Sequence, residues 1–298
     1  MSVDVAVIVA SVDAGLTFRA SLAGFLDEVR GIGDVILVDA SRDGTADAAG
    51  REFPGLRIMR RPLGDLVPDL WQVGMNATNA PLLAFSTAAM RPRPGWLASL
   101  RDRLDANDAA AVGGPIAPGR GLSATDRAIY LHRYVLYLPP MSSHVEPPGE
   151  NALYRRSNLE GLESLRRRGF WEAAVLRELR LRGDRLAMSD DAVLEFLGGA
   201  RLVPTLRQRI KHARLYGAWR AKGASLTGRL VRSAIAPAVP ALLLGRIGRH
   251  LHRRRERLAP WLSAAIPLGS LLTAWALGEA IGTLGANNAD ALVPGTES

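Results

Sequence analysis

The chain has 298 residues, 48% of them hydrophobic, which is enough to bury a core and excludes an intrinsically disordered polymer. It contains no cysteine, which excludes disulfides, a thiolate nucleophile and cysteine-ligated zinc or iron–sulfur sites. The formal net charge of +9 favours phosphate-bearing ligands, nucleic acid or anionic membrane as partners.

The first half of the chain alternates strand-like and helix-like segments, a pattern typical of a parallel sheet covered by helices. The strand-like segments are short and rich in Val, Ile and Leu, as strands buried on both faces are. We predict strands at residues 4–11, 34–39, 56–60, 81–86 and 109–113. We predict helices at residues 16–30, 67–79 and 96–104, and a short helix after the turn at 41–45.

The pattern between residues 124 and 196 is less regular. Helices are predicted at 124–138, 159–168 and 172–182, and extended segments at 151–156, 185–188 and 192–196. Residues 139–149 contain four prolines and are predicted to form a loop, and a loop of that length is often functional.

Basic residues are concentrated in residues 201–257, where 13 Arg and two Lys face one acidic residue. This segment carries a net charge of +14, which leaves −5 for the rest of the chain. It adjoins two apolar runs, the 13 residues 233–245 and the 21 uncharged residues 258–278. A bilayer crossing needs about 20 residues, so the second run is long enough, whereas the first fits an interfacial or re-entrant helix. A buried helical hairpin is the alternative, but the adjacent basic block favours membrane attachment.

The most informative motif is VDASRDGTAD, residues 38–47, which follows a predicted buried strand. Open α/β sheets bind ligands at the carboxyl ends of their strands. Asp39 is therefore positioned to accept hydrogen bonds from a nucleobase or a ribose hydroxyl. Asp43 is suited to capping the next helix or shaping the turn. Taken alone, the motif is equally compatible with an ordinary turn.

The serial order of several motifs resembles that of family 2 glycosyltransferases. The motifs are VAVIVASVDAG, ILVDASRDGTAD, a helix with Gly74 and Asn76, LLAFSTAAMRPRPGWL, GENALYRRSNL, GFWE and RLAMSDDAVLEF. The resemblance covers roughly residues 3–220. It implies an α/β fold of the GT-A type, a Rossmann-like nucleotide-sugar-binding domain with a mostly parallel central sheet, followed here by apolar and basic C-terminal helices.

The resemblance and the composition together predict a domain organisation. We expect a GT-A glycosyltransferase domain at residues 1–204 and basic juxtamembrane or interfacial helices at 205–257. A transmembrane or membrane-embedded helix is expected at 258–288, and a flexible tail at 289–298.

The resemblance also implies a donor site. Ser11 and Asp13 would lie beside the nucleotide base, and Asp39 would bind the base or the ribose. The end of the fourth strand would face the diphosphate. The predicted donor-binding residues are Ser11, Asp13, Asp39, Ser41, Asp43, Asn76 and Thr87.

Two departures from the family pattern concern the metal. The family usually has Asp-x-Asp, whose carboxylates hold the ribose and a divalent cation, but here those positions are Thr87, Ala88 and Ala89. A later strand often ends in His in the family, and here it ends in Phe196. Methyl and phenyl groups offer no ligand to a hard cation. We therefore expect no cofactor and no metal ligands, and Mg²⁺ or Mn²⁺ would have to bind without the usual ligands.

Without that cation, another group must offset the charge of a nucleoside-diphosphate leaving group. Arg207, Lys211 and Arg214 share one face of a predicted helix, and such cations suit phosphate oxygens. The resemblance implies a basic loop or helix here, which in some membrane-bound members closes over the diphosphate. A helix that contacts lipid phosphates is an equal alternative, and one helix can do both.

An inverting sugar transfer needs a carboxylate that takes a proton from the acceptor hydroxyl. The resemblance implies that Glu172, in GFWE, is this base, although the helix dipole alone also favours an acid at a helix start. Glu150 and the pair Asp190 and Asp191 are reserve candidates. The predicted acceptor-binding residues are Glu150, Asn151, Arg155 and Trp171.

These features predict a bacterial-type glycosyltransferase that moves a hexose or related sugar from a nucleotide-sugar to a lipid-linked or cell-envelope glycan. It would act at the cytoplasmic face of the cell membrane, by inversion, with reduced or no metal dependence. The expected partners are the donor, the acceptor and anionic membrane. The alternative is a catalytically inactive, glycosyltransferase-like membrane scaffold or partner protein. Nucleic acid is disfavoured, because the basic residues alternate with apolar runs and no nucleic-acid motif is present.

Overall fold

The structure is a computed structural model that describes residues 3–141, 146–166, 169–221, 223–254, 256 and 259–285. Part of the predicted loop at 139–149 and all of the predicted tail at 289–298 lie outside these residues. The chain divides into two compact units. The first unit comprises Met1–Arg120 and Tyr137–Gly199, and the second comprises Gly121–Leu136 and Ala200–Ser298.

The first unit is built on a mostly parallel sheet, as predicted. The strands are β1 (Val5–Ser11), β2 (Gly33–Asp39), β3 (Arg57–Arg60), β4 (Leu82–Thr87), β5 (Met90–Pro92), β6 (Ala111–Gly113), β7 (Ile116–Pro118), β8 (Ala152–Arg155), β9 (Leu186–Met188) and β10 (Leu194–Phe196). Seven of them form one sheet in the order β3-β2-β1-β4-β8-β6-β9, and β5-β10-β7 form a second sheet. In the large sheet β8 runs antiparallel to both neighbours, and the other pairs are parallel.

The helices follow the predicted order, with differences in the middle of the chain. They are α1 (Thr17–Glu28), α2 (Thr45–Glu52), α3 (Val67–Asn76), α4 (Trp96–Ala106), α5 (Ala124–Arg133), α6 (Glu163–Arg166), α7 (Glu172–Leu181), α8 (Leu202–Arg220), α9 (Leu226–Ile235), α10 (Val239–Arg253) and α11 (Ala265–Leu284). The helix predicted at 124–138 ends at Arg133 and continues as a 3₁₀ turn, Val135–Tyr137. Within the predicted helix at 159–168, whose last two residues lie outside the described residues, the structure shows the single turn α6, preceded by a 3₁₀ turn at Arg156–Leu159.

The core of the first unit fixes the central strands against α3. Every residue of β1 is buried, as its Val- and Ile-rich sequence predicts. A Cβ at Gly74 would lie 2.3 Å from Ile8 Cγ2, so α3 approaches β1 at a distance that only glycine allows. Phe85 of β4 stacks on Phe170 with ring centroids 4.3 Å apart, and Tyr154 of β8 meets both rings edge-on. This packing sets the positions of the strand ends.

The second unit is helical, and its central contact is between α8 and α11. A Cβ at Gly278 would lie 2.6 Å from the Ile210 carbonyl oxygen, and one at Gly282 would lie 2.0 Å from that of Arg214. Glycines therefore let the two helix backbones touch. Trp275 of α11 packs beside Tyr216 of α8, with ring centroids 5.5 Å apart.

Among the described residues, two helices are long and apolar enough to cross a bilayer, judged by length and composition. They are Leu226–Arg253, which contains an 18-residue window of mean hydropathy 1.5, and Ala259–Leu284, which contains one of mean hydropathy 1.4. The apolar run 233–245 is therefore not an isolated short segment, because α9, the 3₁₀ turn Ala236–Ala238 and α10 follow without a break. Core helices of soluble proteins share these features, so membrane attachment stays a prediction.

Candidate functional site

Three strands of the large sheet end side by side. In the strand register Ser11 lies beside Asp39, and Ala10 lies beside Thr87. The carboxyl ends of β1, β2 and β4 therefore share one edge of the sheet, the edge where open α/β sheets bind ligands. Ser11 and Asp39 are buried, and Thr87 is half-buried.

The Ser41 hydroxyl connects the loops that follow β1 and β2. It donates to Asp39 Oδ1 at 2.6 Å and accepts from the Asp13 backbone N–H at 2.8 Å. Its oxygen also lies 3.2 Å from Ser11 Oγ. We call Ser11, Asp13, Asp39, Ser41 and Asp43 the strand-end cluster, since the structure brings these five predicted donor residues together.

Two exposed carboxylates of the strand-end cluster accept hydrogen bonds from backbone N–H groups, and these bonds connect the loops that follow β1 and β2. Asp13 Oδ1 accepts from the Arg42 N–H at 2.7 Å, and Asp43 Oδ2 accepts from the Gly15 N–H at 2.8 Å. Asp13 has a φ of +49°, a left-handed conformation that costs a non-glycine residue energy. The reciprocal bonds between the two loops offset that cost, so the cluster is held in shape before any ligand binds.

Asp43 is part of the loop anchor. Its partial burial acts to raise the pKa of its carboxyl, but hydrogen bonds from the Thr45 side chain and from the backbone of Gly15 and Thr45 outweigh burial and lower the pKa. The carboxylate is therefore ionised at neutral pH, with its oxygens engaged by these donors. This arrangement fits the turn-shaping role that the sequence left open for Asp43.

The turn after β4 is held from three sides. The Ala88 N–H donates to the Ala10 carbonyl at 2.9 Å, and Thr17 Oγ1 donates to the Ala88 carbonyl at 2.9 Å. The Leu197 N–H donates to the Ala89 carbonyl at 2.8 Å. The two positions where the family pattern places metal ligands, 87–89 and 196, are therefore neighbours in space. The side chains of Ala88 and Phe196 are buried there and offer no ligand atom.

Positions 87–89 and 196 offer a divalent cation no carboxylate or imidazole. Within the described part of the chain, no group of three His, Asp or Glu side chains is arranged to hold a metal ion. Glu195 of β10 is engaged by Arg91 at 2.5 Å and by Arg93 at 3.2 Å. The Arg91 hydrogen bond, with further help from Arg93, holds the pKa of Glu195 below its usual value.

The two candidate catalytic acids lie on neighbouring segments. Glu172 is the first residue of α7, and Gly149 and Glu150 lead into β8 at the carboxyl end of β4. A Cβ at Gly149 would lie 2.9 Å from Glu172 Cδ and 3.0 Å from Trp71 Cη2. Glu150 is buried and Glu172 is half-buried. The carboxyl of Glu172 and the ring of Trp71 therefore both lie close to Gly149, in the segment that carries Glu150.

The negative charge of Glu172 contributes to the raised pKa of the buried Tyr154 hydroxyl. Burial, with a smaller contribution from Glu172, raises the pKa of the Tyr154 hydroxyl well above its usual value. Tyr154 therefore stays protonated, and its ring packs in the core with Phe85 and Phe170. Trp171, the residue before Glu172, is half-buried at the start of α7.

The structure gives Asn151 a structural role. This residue is completely buried, and its Oδ1 accepts from Trp96 Nε1 at 2.7 Å. Its Nδ2 donates to the carbonyls of Pro115 and Ala192, at 2.8 and 2.9 Å. These bonds tie the start of β8 to two loops and engage both ends of the amide, and a role of Asn151 in acceptor binding stays a prediction.

Two predicted site residues lie at the other edge of the sheet. Arg155 pairs with Leu82 at the amino end of β4, and its guanidinium binds Asp105 at 2.7 Å. Asn76 ends α3, just before the connection to that same end of β4, and accepts from Gln72 at 2.7 Å. Neither residue is brought to the strand-end cluster.

The three predicted diphosphate-binding residues belong to the second unit. Arg207, Lys211 and Arg214 are exposed on α8, at spacings that place them on one helix face. The buried face of α8 carries Ala213 and Gly217. Their action on a donor stays a prediction.

No protein-family model matches this sequence, and no curated protein matches it. The fold, however, matches solved structures. Mannosyltransferase PcManGT from Pyrobaculum calidifontis, in complex with GDP-Man and Mn²⁺, aligns with a TM-score of 0.53 at 18% identity, over 94% of this chain and 87% of that chain. The chain has the GT-A fold. S. aureus TarS 1-349 aligns with a TM-score of 0.48 at 12% identity, over 94% of this chain and 90% of that chain.

Some residues that shape this GT-A site escaped the sequence-based prediction. Thr17 holds the turn after β4, and Thr45 donates its hydroxyl to Asp43 at 2.6 Å. Both are the first residues of helices, which is the only signal the sequence offers for them. Gly149 permits the approach of Glu172, and only the folded structure reveals that requirement.

Proposed function

We propose that this protein is a glycosyltransferase that uses a nucleotide-sugar donor. The observation that carries the proposal is the strand-end cluster, built around Asp39 at the carboxyl edge of a GT-A sheet. Asp39 Oδ1 accepts from the Ser41 hydroxyl, whereas Oδ2 has, among the described residues, only a long contact of 3.4 Å with the Ser41 N–H. This second oxygen is suited to accept from a ribose hydroxyl or a base N–H.

The proposed donor is a uridine or guanosine diphosphate sugar. Ser11, Asp13 and Ser41 would position the base and ribose beside Asp39, and Thr87 would face the diphosphate. The mannosyltransferase PcManGT, similar in fold, binds GDP-Man, which supports a donor of this class. The hexose or related sugar that is transferred is part of the proposal.

Glu172 is the proposed general base, with Glu150 as its reserve. Removal of the acceptor proton by the carboxylate, with attack on the anomeric carbon from the face opposite the nucleotide, would invert that carbon. The carboxyl of Glu172 lies against Gly149, in the segment that also carries Glu150. Trp171 would line the acceptor site.

The proposed reaction has reduced or no dependence on a divalent cation. The support is chemical, since positions 87–89 and 196 provide no carboxylate or imidazole. Arg207, Lys211 and Arg214 would then stabilise the departing nucleoside diphosphate through charge-assisted hydrogen bonds.

The proposed acceptor is a lipid-linked or cell-envelope glycan at the cytoplasmic face of a bacterial membrane. The second unit supports this, because it combines the +14 segment with exposed apolar side chains, among them Leu226, Leu242 and Ile266. Anionic headgroups attract such basic segments, and interfacial helices bury such side chains.

A second candidate is an inactive, glycosyltransferase-like scaffold at the membrane. The observation that favours it is the absence of the family's carboxylates at residues 87–89. It differs from the first candidate in its outcome, because a scaffold would neither transfer nor hydrolyse a donor sugar.

Calorimetric titration of the full chain with a panel of nucleotide-sugars, in Mn²⁺ and in EDTA, tests both candidates. We expect binding in both conditions, and a roughly tenfold weaker affinity for Asp39→Asn because a hydrogen bond to a charged group is lost. Asp102→Asn, which changes an exposed carboxylate of α4, is the matched control and should bind normally. Binding that disappears in EDTA would contradict metal independence. No binding at all, or binding without sugar release, would favour the scaffold.

A further inference from the structure

The C-terminal half of α10 lines a cavity of about 440 Å³ in the second unit. The lining side chains are Arg246, Arg249, His250 and Arg253 of α10, together with Leu136 from the segment that follows α5. Spacings of three, four and seven residues place the four α10 side chains on one face of the helix. The cavity is therefore basic along one wall and apolar at Leu136.

In the part of the chain that the structure describes, the three arginines have no acidic partner. Within the described residues, no Asp or Glu forms an ion pair with Arg246, Arg249 or Arg253, although other arginines of the chain do form such pairs. All three are exposed to solvent. Guanidinium groups bind phosphate through paired N–H donors, so three of them around one cavity make a site for that group.

His250 supplies a second, independent observation. Its ring is hydrogen-bonded to the backbone of Val135, which leaves Nε2 as the other nitrogen. Nε2 is buried, and no described residue lies within hydrogen-bonding distance of it. Buried polar atoms without a partner are uncommon in folded proteins and indicate a place where another group binds.

An apolar surface continues from this basic cavity. Leu242 lies four residues before Arg246, on the same face of α10, and its side chain is 64% exposed. Leu230 and Ile235 are also exposed earlier in the continuous helix Leu226–Arg253. Along this helix, exposed apolar side chains are therefore followed by the arginines of the cavity. A lipid has the same arrangement, with apolar acyl chains next to a charged headgroup.

We propose that this cavity binds the phosphate group of an anionic lipid, with Arg246, Arg249 and Arg253 as its N–H donors and His250, once protonated, as a fourth donor. Basic residues near a helix C-terminus also stabilise the helix dipole, but that effect requires neither a cavity nor a buried ring nitrogen without a partner. The same chemistry would accept inorganic phosphate, which is the alternative source. The site is independent of the strand-end cluster, so it stands or falls separately from the proposed sugar transfer.

Vesicle flotation of the full chain tests the lipid. Three vesicles are compared: phosphatidylcholine alone, phosphatidylcholine with phosphatidic acid, and phosphatidylcholine with enough oleate to match that charge. We expect tighter binding to phosphatidic acid than to oleate. In the double variant Arg249→Gln and Arg253→Gln, binding to phosphatidic acid should fall about tenfold or more and the preference should disappear.

The control double variant, Arg57→Gln and Arg201→Gln, removes the same charge at exposed positions outside the cavity. It should weaken binding to both anionic vesicles slightly and equally, because it changes only the long-range attraction. Circular dichroism checks that every variant keeps its helix content. Equal losses in the two double variants, or no preference for phosphatidic acid over oleate, would overturn the lipid proposal.

A second measurement identifies the phosphate contact directly. In detergent-solubilised protein labelled with ¹⁵N, inorganic phosphate should shift the His250 Nε2 resonance, which is assigned by its loss in His250→Gln. A shift together with a preference for phosphatidic acid supports the site. A shift without a preference for phosphatidic acid would contradict the lipid as the ligand and indicate free phosphate instead. If inorganic phosphate causes no shift, the phosphate site itself is contradicted.

Discussion

Two explanations fit an acid at Glu172, the first residue of α7: a catalytic role, and the preference of helix starts for acidic residues. Its carboxyl lies against Gly149, and the residue is half-buried, so water reaches it from fewer directions than it reaches an exposed acid. An ordinary acid at a helix start needs only solvent and the helix dipole. The enclosed position is the physical reason to assign the reaction to it.

We predict that Glu172→Gln lowers kcat for sugar transfer by about 10²- to 10⁴-fold, since the amide cannot accept the acceptor's proton. Donor affinity should stay unchanged, and calorimetry with the nucleotide-sugar checks this. Glu178→Gln, at a half-buried position on the same helix α7, is the matched control. If both variants were equally active, the base would have to be sought at Glu150.

At the residue scale the sequence predicted which polar side chains follow the strands, but not which edge every residue reaches. Ser11 and Asp39 come together because parallel strands end at one edge. Asn76 ends a helix that returns the chain to the opposite edge, and Arg155 lies late in an antiparallel strand. Whether a strand runs parallel or antiparallel to its neighbours depends on tertiary structure, and nothing in the sequence of β8 shows that it runs antiparallel to β4.

At the scale of elements, the glycines between α8 and α11 decide how the second unit packs. Gly278 and Gly282 bring the α11 backbone against Ile210 and Arg214. The sequence predicted an apolar helix, but its lack of charge suits a protein core as well as a bilayer, so α8 could not be identified as its partner. The strands β5 and β7 were missed because each ends in a proline, which counts against a strand in a sequence.

We predict that Gly282→Ala lowers the free energy of unfolding by about 1–3 kcal/mol, because the added methyl would lie 2.0 Å from the Arg214 carbonyl oxygen. Gly269→Ala changes the same helix where nothing lies within 4 Å. It should be neutral or stabilising by up to about 1 kcal/mol. Denaturant titration followed by circular dichroism measures both, and equal effects would show that the helices do not touch at Gly282.

At the scale of the whole molecule, two histidines make the second unit sensitive to acid. Burial, aided by the charges of Arg209 and Arg133, lowers the pKa of His132 to about 3 and holds that of His212 well below its usual value. Both rings lie beside Trp275 of α11. A neutral imidazole in the folded state becomes protonated on unfolding, so stability falls as the pH drops below the unfolded value of about 6.5.

We predict that the free energy of unfolding decreases by about 2 kcal/mol between pH 7 and pH 5 through His132 alone. His132→Gln should lose that part of the pH dependence, whereas His252→Gln, at an exposed position of α10, should keep it. Denaturant titrations at the two pH values give the difference. An unchanged pH dependence in His132→Gln would contradict the assignment.

The membership of α5 in the second unit has a consequence for the order of synthesis. Tyr130 of α5 stacks on Trp261 at 5.5 Å, and Arg127 binds Ser263 at 2.9 Å, so both await residues made much later. During translation α5 leaves the ribosome long before α8 and α11 have been synthesised. Until then the apolar face of α5 stays exposed to solvent. A chain shortened at residue 204 would stay in that state permanently, which makes it a poor choice for crystallisation and a natural substrate for chaperones.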